Sequence, residues 1–107
     1  MTIVVVGGSA TPASASCTHS SRDAGSALLY VTGTDVAVRS GPHTSCGLNY
    51  RAPNGLIMNA HCYVTGDTVK SGGISYTTWS RVSVWGGGPG GWMSDAFLEN
   101  GGAPYRC

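Results

Sequence analysis

The sequence predicts a small all-β domain, a barrel or sandwich built from short antiparallel strands. Short apolar or alternating runs recur along the chain, and several are rich in β-branched and aromatic residues. Turn signals containing glycine or proline separate nearly all of these runs. No segment carries a sustained helical period with caps. With 107 residues, 17 of them glycine, the chain is long enough for one domain with a limited core.

Each predicted strand is bounded by its own turn signals. In the second run Val36 and Val38 alternate with polar or small residues, so both point to one face and Arg39 ends the strand. Turns are expected at 41–42, 53–55, 66–67, 72–73 and 86–91. The strand segments are ALLYVTG (27–33), DVAVRS (35–40), GLIMNAHCYV (55–64), ISYTTWSRVSVW (74–85) and GGWMSDAFL (90–98).

Four cysteines in a small chain with a weak core are typical of an oxidised, exported domain. Four cysteines allow three pairings. We favour Cys46–Cys62 inside the domain and Cys17–Cys107 joining its two ends. By the chain-entropy relation these bonds would contribute about 3 and about 4.5 kcal/mol.

The N-terminal stretch TIVVVGGSATPASAS also favours export. It has an apolar core, a Gly/Pro break and then small residues, with Ala13-Ser14-Ala15 fitting an A-x-A cleavage site. Alternatively, the β-branched run at 2–6 forms an extra strand. We expect residues 1–27 to be a signal-peptide remnant or an N-terminal arm and linker, and residues 28–107 to form the barrel and a C-terminal tail.

Charge and hydropathy argue against two classes of partner. Six basic and five acidic residues give a net charge of +1, so the chain has no basic stripe for a nucleic-acid backbone. No apolar run is long enough to span a bilayer, so we expect no membrane span.

Three stretches resemble bacterial SH3-like domains, in the order that this family shows. VAVRSGPHTS (36–45) is similar to the opening strand and first loop, AHCYVTGDTV (60–69) to the middle strand and hairpin, and WSRVSVWGGGPGGWMSDAFL (79–98) to the closing half. The match covers roughly residues 30–100. A cysteine after HTS and another in the middle strand resemble secreted actinobacterial versions. LNYRAPNGLIM departs from the family pattern, and GDTVKSGGISYTT is expected to make a long hairpin loop.

The resemblance implies an SH3-like barrel of about five to six short antiparallel strands. It places the Arg39 guanidinium at the surface, where it bonds loop carbonyls as an architectural clamp or, alternatively, binds a ligand. Cys46 would anchor the first loop to Cys62 on the middle strand. Such barrels bind extended ligands in shallow aromatic grooves. Trp79 is expected in the core, whereas core and groove are both open for Trp92. The candidate binding residues are Arg39, Tyr50, Tyr76, Trp85 and Trp92.

Catalytic and metal chemistry are not expected. His61 and Cys62 are neighbours on a predicted strand and point to opposite faces, so they do not suit one zinc site. Paired cysteines leave no thiolate nucleophile, and the Gly-x-Ser-x-Gly elbow is absent. The glycine runs lack the lysine of a phosphate loop. The sequence therefore predicts a non-catalytic protein with no cofactor and no metal.

Two functions of different classes remain. The first, implied by the resemblance, is a secreted module that recognises cell-wall peptide. The second is a secreted adaptor or inhibitor that binds a partner protein through an edge strand or the glycine-rich loop at 86–91. The chain is expected to act outside the cell, as a monomer or as part of a hetero-complex.

Overall fold

The computed structural model describes residues 17–22 and 24–107, and no α-helix occurs among them. The expected signal sequence or extra strand at 1–16 lies outside the described residues. In this described part of the chain, six antiparallel strands form one sheet that curls into a half-barrel, so the predicted fold class is confirmed. The strands are β1 (Ala27–Tyr30), β2 (Val36–Arg39), β3 (Leu48–Ala52), β4 (Ile57–Ser71), β5 (Ile74–Val84) and β6 (Gly90–Ser94), followed by 3-10 turns at Asp95–Phe97 and Glu99–Gly101.

The order of strands across the sheet is β1-β4-β5-β6-β2-β3. The hairpin β4–β5 lies inside the sheet, and β1 and β3 are the edge strands. An isolated bridge between Val31 and Leu98 links the end of β1 to the segment after β6. The segment after β6 thus returns to the end of β1, and the sheet curls around its core.

The strand β3 is absent from the predicted set. Buried and exposed side chains do not alternate along β3, and only Ala52 is fully buried. The reason is that β3 is an edge strand whose side chains mostly face solvent. Pairing with β2 defines it, with a bulge where Val38 pairs with Tyr50 and Arg39 with Leu48. A polar edge strand lacks the apolar period that marks the other strands, and this explains why sequence reasoning missed it.

The predicted turn at Gly66-Asp67 is wrong. β4 runs through this point to Ser71, with an irregular register between Thr65 and Val69. The backbone groups of the irregular stretch find partners elsewhere: Asp67 N–H donates to Pro42 O at 3.2 Å, and Trp79 Nε1–H donates to Asp67 O at 2.9 Å. With these groups satisfied, the strand continues instead of turning. The turn at 72–73 is confirmed.

The concave face of the sheet holds the main core. Val36 and Val38 are buried in it, as their alternation predicts. This main core cluster excludes water from one face of every strand, and such burial is the principal favourable term in folding. Its buried members are Leu29, Val31, Val36, Val38, Ala52, Met58, Ala60, Val82, Met93, Leu98 and Ala103.

A second, smaller cluster lies on the opposite, outer face of the sheet. Trp79 and Trp92 are 3% and 1% exposed and pack with Val64 in this tryptophan cluster. Trp92 and its neighbour Met93 are both buried although they point to opposite faces, so β6 is covered on both sides. The predicted core position of Trp79 is confirmed, and Trp92 also belongs to the core.

Two disulfides are present, as expected, but the favoured pairing is wrong. The bonds join Cys17 to Cys46 and Cys62 to Cys107, not Cys46 to Cys62 and Cys17 to Cys107. Cys62 bonds Cys107 because the C-terminal residues lie beside β4, where Tyr63 N–H donates to Tyr105 O at 2.7 Å and Cys107 N–H donates to Tyr63 O at 2.9 Å.

The other bond ties residues 17–22, the N-terminal segment, across the outer face. The backbone of Cys17 lies directly against Gly41, where a Cβ atom would collide with it, so this position requires glycine. The His19 ring then meets Trp92 edge-on, with 5.6 Å between ring centroids. The Gly41-Pro42 break therefore leads into a loop that Cys46 fastens to the N-terminal segment.

Candidate functional site

One end of the outer face carries an exposed apolar row. Tyr30 lies opposite Ile57 in the β1–β4 register. Trp85 N–H donates to Ile57 O at 3.1 Å, which extends the β4–β5 pairing by one residue and places Trp85 beside Ile57. Directly paired residues project from the same face of a sheet. Tyr30, Ile57 and Trp85, 44%, 40% and 61% exposed, therefore form a row across three strands.

Leu28 extends this apolar row along β1. It is 55% exposed and shares the face of Tyr30, because the two residues are separated by one position on the strand. Its cross-strand partner is Asn59, whose Oδ1 accepts a hydrogen bond from Ser26 Oγ at 3.1 Å. Contiguous exposed apolar side chains with a polar border are typical of interaction sites. The apolar row and Leu28 thus form a platform about three strands wide.

A polar pocket of about 350 Å³ adjoins this platform. Two arginines, Arg22 of the N-terminal segment and Arg81 of β5, supply its positive charge. His61 Nε2 lies 2.9 Å from Ser83 Oγ, so the imidazole and hydroxyl face each other across β4 and β5. We call this feature the arginine pocket. It is lined by Ser21, Arg22, His61, Arg81, Val82 and Ser83.

The arginine pocket has no acidic counter-charge among the described residues. In residues 17–22 and 24–107, the contact of His43 Nδ1 with Asp67 Oδ1, at 2.7 Å, is the only one within salt-bridge distance. Neither guanidinium, of Arg22 or of Arg81, hydrogen-bonds another group in this part of the chain. Arg81 is half-buried as a residue, and a guanidinium, with five donors and no acceptor, is suited to binding an oxyanion.

Of the predicted binding residues, Arg39 holds the backbone of the first loop. Its Nη1–H donates to Cys46 O at 3.0 Å, which is the expected bond to a loop carbonyl. Trp92 pairs with Arg39 in the sheet but is 1% exposed, so the groove position considered for it is wrong. Packing under the N-terminal segment is the physical reason.

Tyr50 and Tyr76 lie away from the platform. Tyr50 packs against the main core cluster and donates its hydroxyl to Pro89 O at 2.9 Å. Burial raises the pKa of the Tyr50 phenol, and the charge of Arg81 opposes this only in part. Tyr76 is half-buried and pairs with Val69 near the hairpin tip, about 30 Å along β5 from Trp85. The structure thus brings Trp85 alone of the predicted residues to the platform.

The first loop is fixed to β4 by a carboxylate. Asp67 Oδ1 accepts from His43 Nδ1 at 2.7 Å, and Oδ2 accepts from Thr44 N–H and Oγ1–H at 2.9 and 3.0 Å. These bonds, His43 first, hold the pKa of Asp67 below its ordinary value. Both carboxylate oxygens of Asp67 are engaged within the protein, so this cluster fixes the first loop to β4.

A second carboxylate, Asp95, is buried at the Ser-Asp-Ala turn. It is 2% exposed, and its two oxygens accept from Thr78 Oγ1–H at 2.7 Å and Ser80 Oγ–H at 2.6 Å. Ser80 Oγ in turn accepts from Ala103 N–H at 2.9 Å. This network joins β5 to the turn and to the C-terminal segment. Desolvation raises the pKa of Asp95, and the two hydroxyl donors offset that effect only in part.

The raised pKa of Asp95 gives a testable pH dependence. A carboxyl that is harder to ionise in the folded state stabilises the fold below its unfolded pKa, and this contribution is lost as the pH rises through the folded pKa. The side chain of Asp95→Asn is neutral throughout. We therefore expect the free energy of unfolding of this variant, minus that of the wild type, to increase as the pH rises from about 3 to about 7. Urea unfolding across this range measures the difference, and a difference that shrinks or stays constant with pH contradicts the account.

Sequence reasoning missed most of the candidate site. Leu28 and Tyr30 alternate with buried Leu29 and Val31 in ALLYV, and this period was the signal that could have placed them on one exposed face. Ile57 and Arg81 carry no such signal. Their partners lie 27 and 11 residues away along the chain, at Tyr30 and Trp92, and only the strand register brings them together.

The described part of the chain contains no group of three metal-ligating side chains. It also contains no helix that is long and apolar enough to cross a membrane. No family model, no curated protein and no solved structure matches this chain.

Proposed function

We propose that this chain is a secreted, non-catalytic SH3-like module that binds cell-wall peptide on its outer face. The observation that carries the proposal is the exposed apolar row of Tyr30, Ile57 and Trp85, bordered by the arginine pocket. The order of motifs quoted for the bacterial SH3-like resemblance supports the class of module. The two disulfides suit an oxidising compartment.

The chemistry of the platform fits a short extended peptide. Trp85 and Tyr30 supply rigid apolar area at small entropic cost, which suits aliphatic side chains and backbone. The adjacent polar border offers amide and hydroxyl groups, Asn59 and Ser83, for main-chain hydrogen bonds. Beside the platform, the arginine pocket supplies positive charge from two residues, Arg22 and Arg81, so the site favours a ligand with few negative charges over a polyanion.

The test is retention on purified cell-wall sacculi. We expect the wild-type protein to be retained and Trp85→Ala to bind at least about tenfold more weakly, because a central aromatic residue typically dominates such a site. Ile74→Ala is the matched control, since Ile74 is 56% exposed at the far hairpin tip. It should bind like the wild type.

Two results would count against the proposal. Equal retention of the wild type and Trp85→Ala would show that the platform does not bind the wall. Absence of wild-type retention, together with a stoichiometric protein partner recovered from culture medium, would favour an adaptor or inhibitor. One observation favours this alternative function: β1 is an edge strand that carries the exposed side chains of Leu28 and Tyr30.

A further inference from the structure

We infer that the arginine pocket binds a carboxylate at the end of the ligand, with Arg81 as its principal donor. This inference deepens the proposed function, on which it rests, because it assigns a chemical group to one end of the site. It rests on the position of Arg81, on the absence of an acceptor for its guanidinium among the described residues, and on its distance from the apolar row.

Arg81 is held at the centre of the outer face. It lies in β5, where its paired residues are Cys62 on β4 and Trp92 on β6. Both of these neighbours are fully buried, and Cys62 is fastened by its disulfide to Cys107. The base of the Arg81 side chain therefore rests on rigid structure. The residue is half-buried, and a planar guanidinium suits a planar, bidentate partner.

No group of the described chain uses these donors. The guanidinium of Arg81 has no hydrogen-bond acceptor in residues 17–22 and 24–107, whereas that of Arg39 donates to Cys46 O and that of Arg51 to Asp35 O. A partly desolvated cation without a partner is costly, and a bound carboxylate would remove that cost. The guanidinium of Arg22 and the hydroxyls of Ser21 and Ser83 line the same pocket and add further donors.

The spacing along β5 sets the size of the ligand. Arg81, Ser83 and Trp85 occupy alternate positions and therefore project from one face. At about 3.3 Å per residue, Arg81 and Trp85 are about 13 Å apart along the strand. An extended peptide of about four residues covers this distance. The carboxylate end would then lie in the arginine pocket while the other end contacts the apolar row.

The experiment titrates isotope-labelled wild-type protein with N-acetyl-Leu-Ala-Ala-Ala, and NMR follows the binding. The matched ligand is the same peptide with a C-terminal carboxamide. We expect the free acid to bind about tenfold more tightly than the amide, and Arg81→Gln to abolish this preference. Arg51→Gln removes the same charged group from an exposed edge strand and should keep the preference. A spectrum of Arg81→Gln with unchanged dispersion verifies its fold.

Three outcomes overturn the inference: equal affinity for acid and amide, a preference that survives in Arg81→Gln, or tighter binding of inorganic phosphate than of the acid peptide. These outcomes are separable from failure of the proposed function. Retention on sacculi without an acid preference removes the inference and leaves the wall-binding module. An acid preference that depends on Arg81, without retention on sacculi, removes the wall and keeps the carboxylate site.

Discussion

Replacing Cys62 and Cys107 together by alanine is expected to lower the free energy of unfolding by about 4 kcal/mol. The bond joins residues 45 positions apart, so its loss returns considerable loop entropy to the unfolded chain. Small domains have only about 5–15 kcal/mol in total, so the variant should be close to unfolding at 37 °C. Urea denaturation at 25 °C, monitored by circular dichroism, measures the change.

The comparison variant is Cys17→Ala with Cys46→Ala. Its shorter loop, of separation 29, predicts a loss of about 3.5 kcal/mol. It should also release the N-terminal segment from Trp92 and change the tryptophan fluorescence before unfolding. An unchanged urea midpoint in the Cys62/Cys107 variant would contradict the account.

The pairing itself is checked with Cys62→Ala alone. The free thiol of this variant should be Cys107, and alkylation followed by peptide mapping locates it. A label on Cys46 instead would restore the pairing that sequence reasoning favoured.

Trp92→Ala is expected to cost about 3–5 kcal/mol of stability. Trp92 is 1% exposed and packs with Trp79 and Val64 under the N-terminal segment, so truncation leaves a large cavity between the sheet and its cover. The His19 ring also loses its edge-on contact. Urea denaturation measures the loss in the free energy of unfolding, provided that the slope of this free energy against urea concentration is unchanged.

Trp85→Ala serves as the matched control for Trp92→Ala. Trp85 is 61% exposed, so its truncation should change stability by no more than about 0.5 kcal/mol. The two substitutions delete the same side chain and differ only in burial. Similar losses for both would mean that Trp92 is not a core residue, and the tryptophan cluster would have to be abandoned.

Local patterns predicted the strands that face the core. Val36 and Val38 alternate, and the run at 74–85 is rich in β-branched and aromatic residues, so both segments were recognisable. Edge strand β3 has exposed polar side chains and was missed. The turn expected at Gly66-Asp67 failed because Pro42 and Trp79 satisfy the backbone there, from 25 residues before and 12 residues after Asp67.

The candidate site was predictable only in part. Trp85 was among the binding residues predicted from the sequence, and it is 61% exposed on the platform. Tyr30 and Ile57 lie beside Trp85 only because β1, β4 and β5 pair in this register. Arg81 looks like any polar residue of an alternating strand, and only the structure shows that its guanidinium has no acceptor in residues 17–22 and 24–107.

The sequence by itself determined an all-β chain with paired cysteines, since period, turn residues and cysteine number are properties of short segments. Only the tertiary structure decided which cysteines meet, that both faces of β6 are covered and which guanidinium lacks an acceptor among the described residues. The C-terminal residues lie along β4, and the N-terminal segment crosses the outer face over Trp92. Such long-range packing brings Cys107 to Cys62, and no local pattern encodes it.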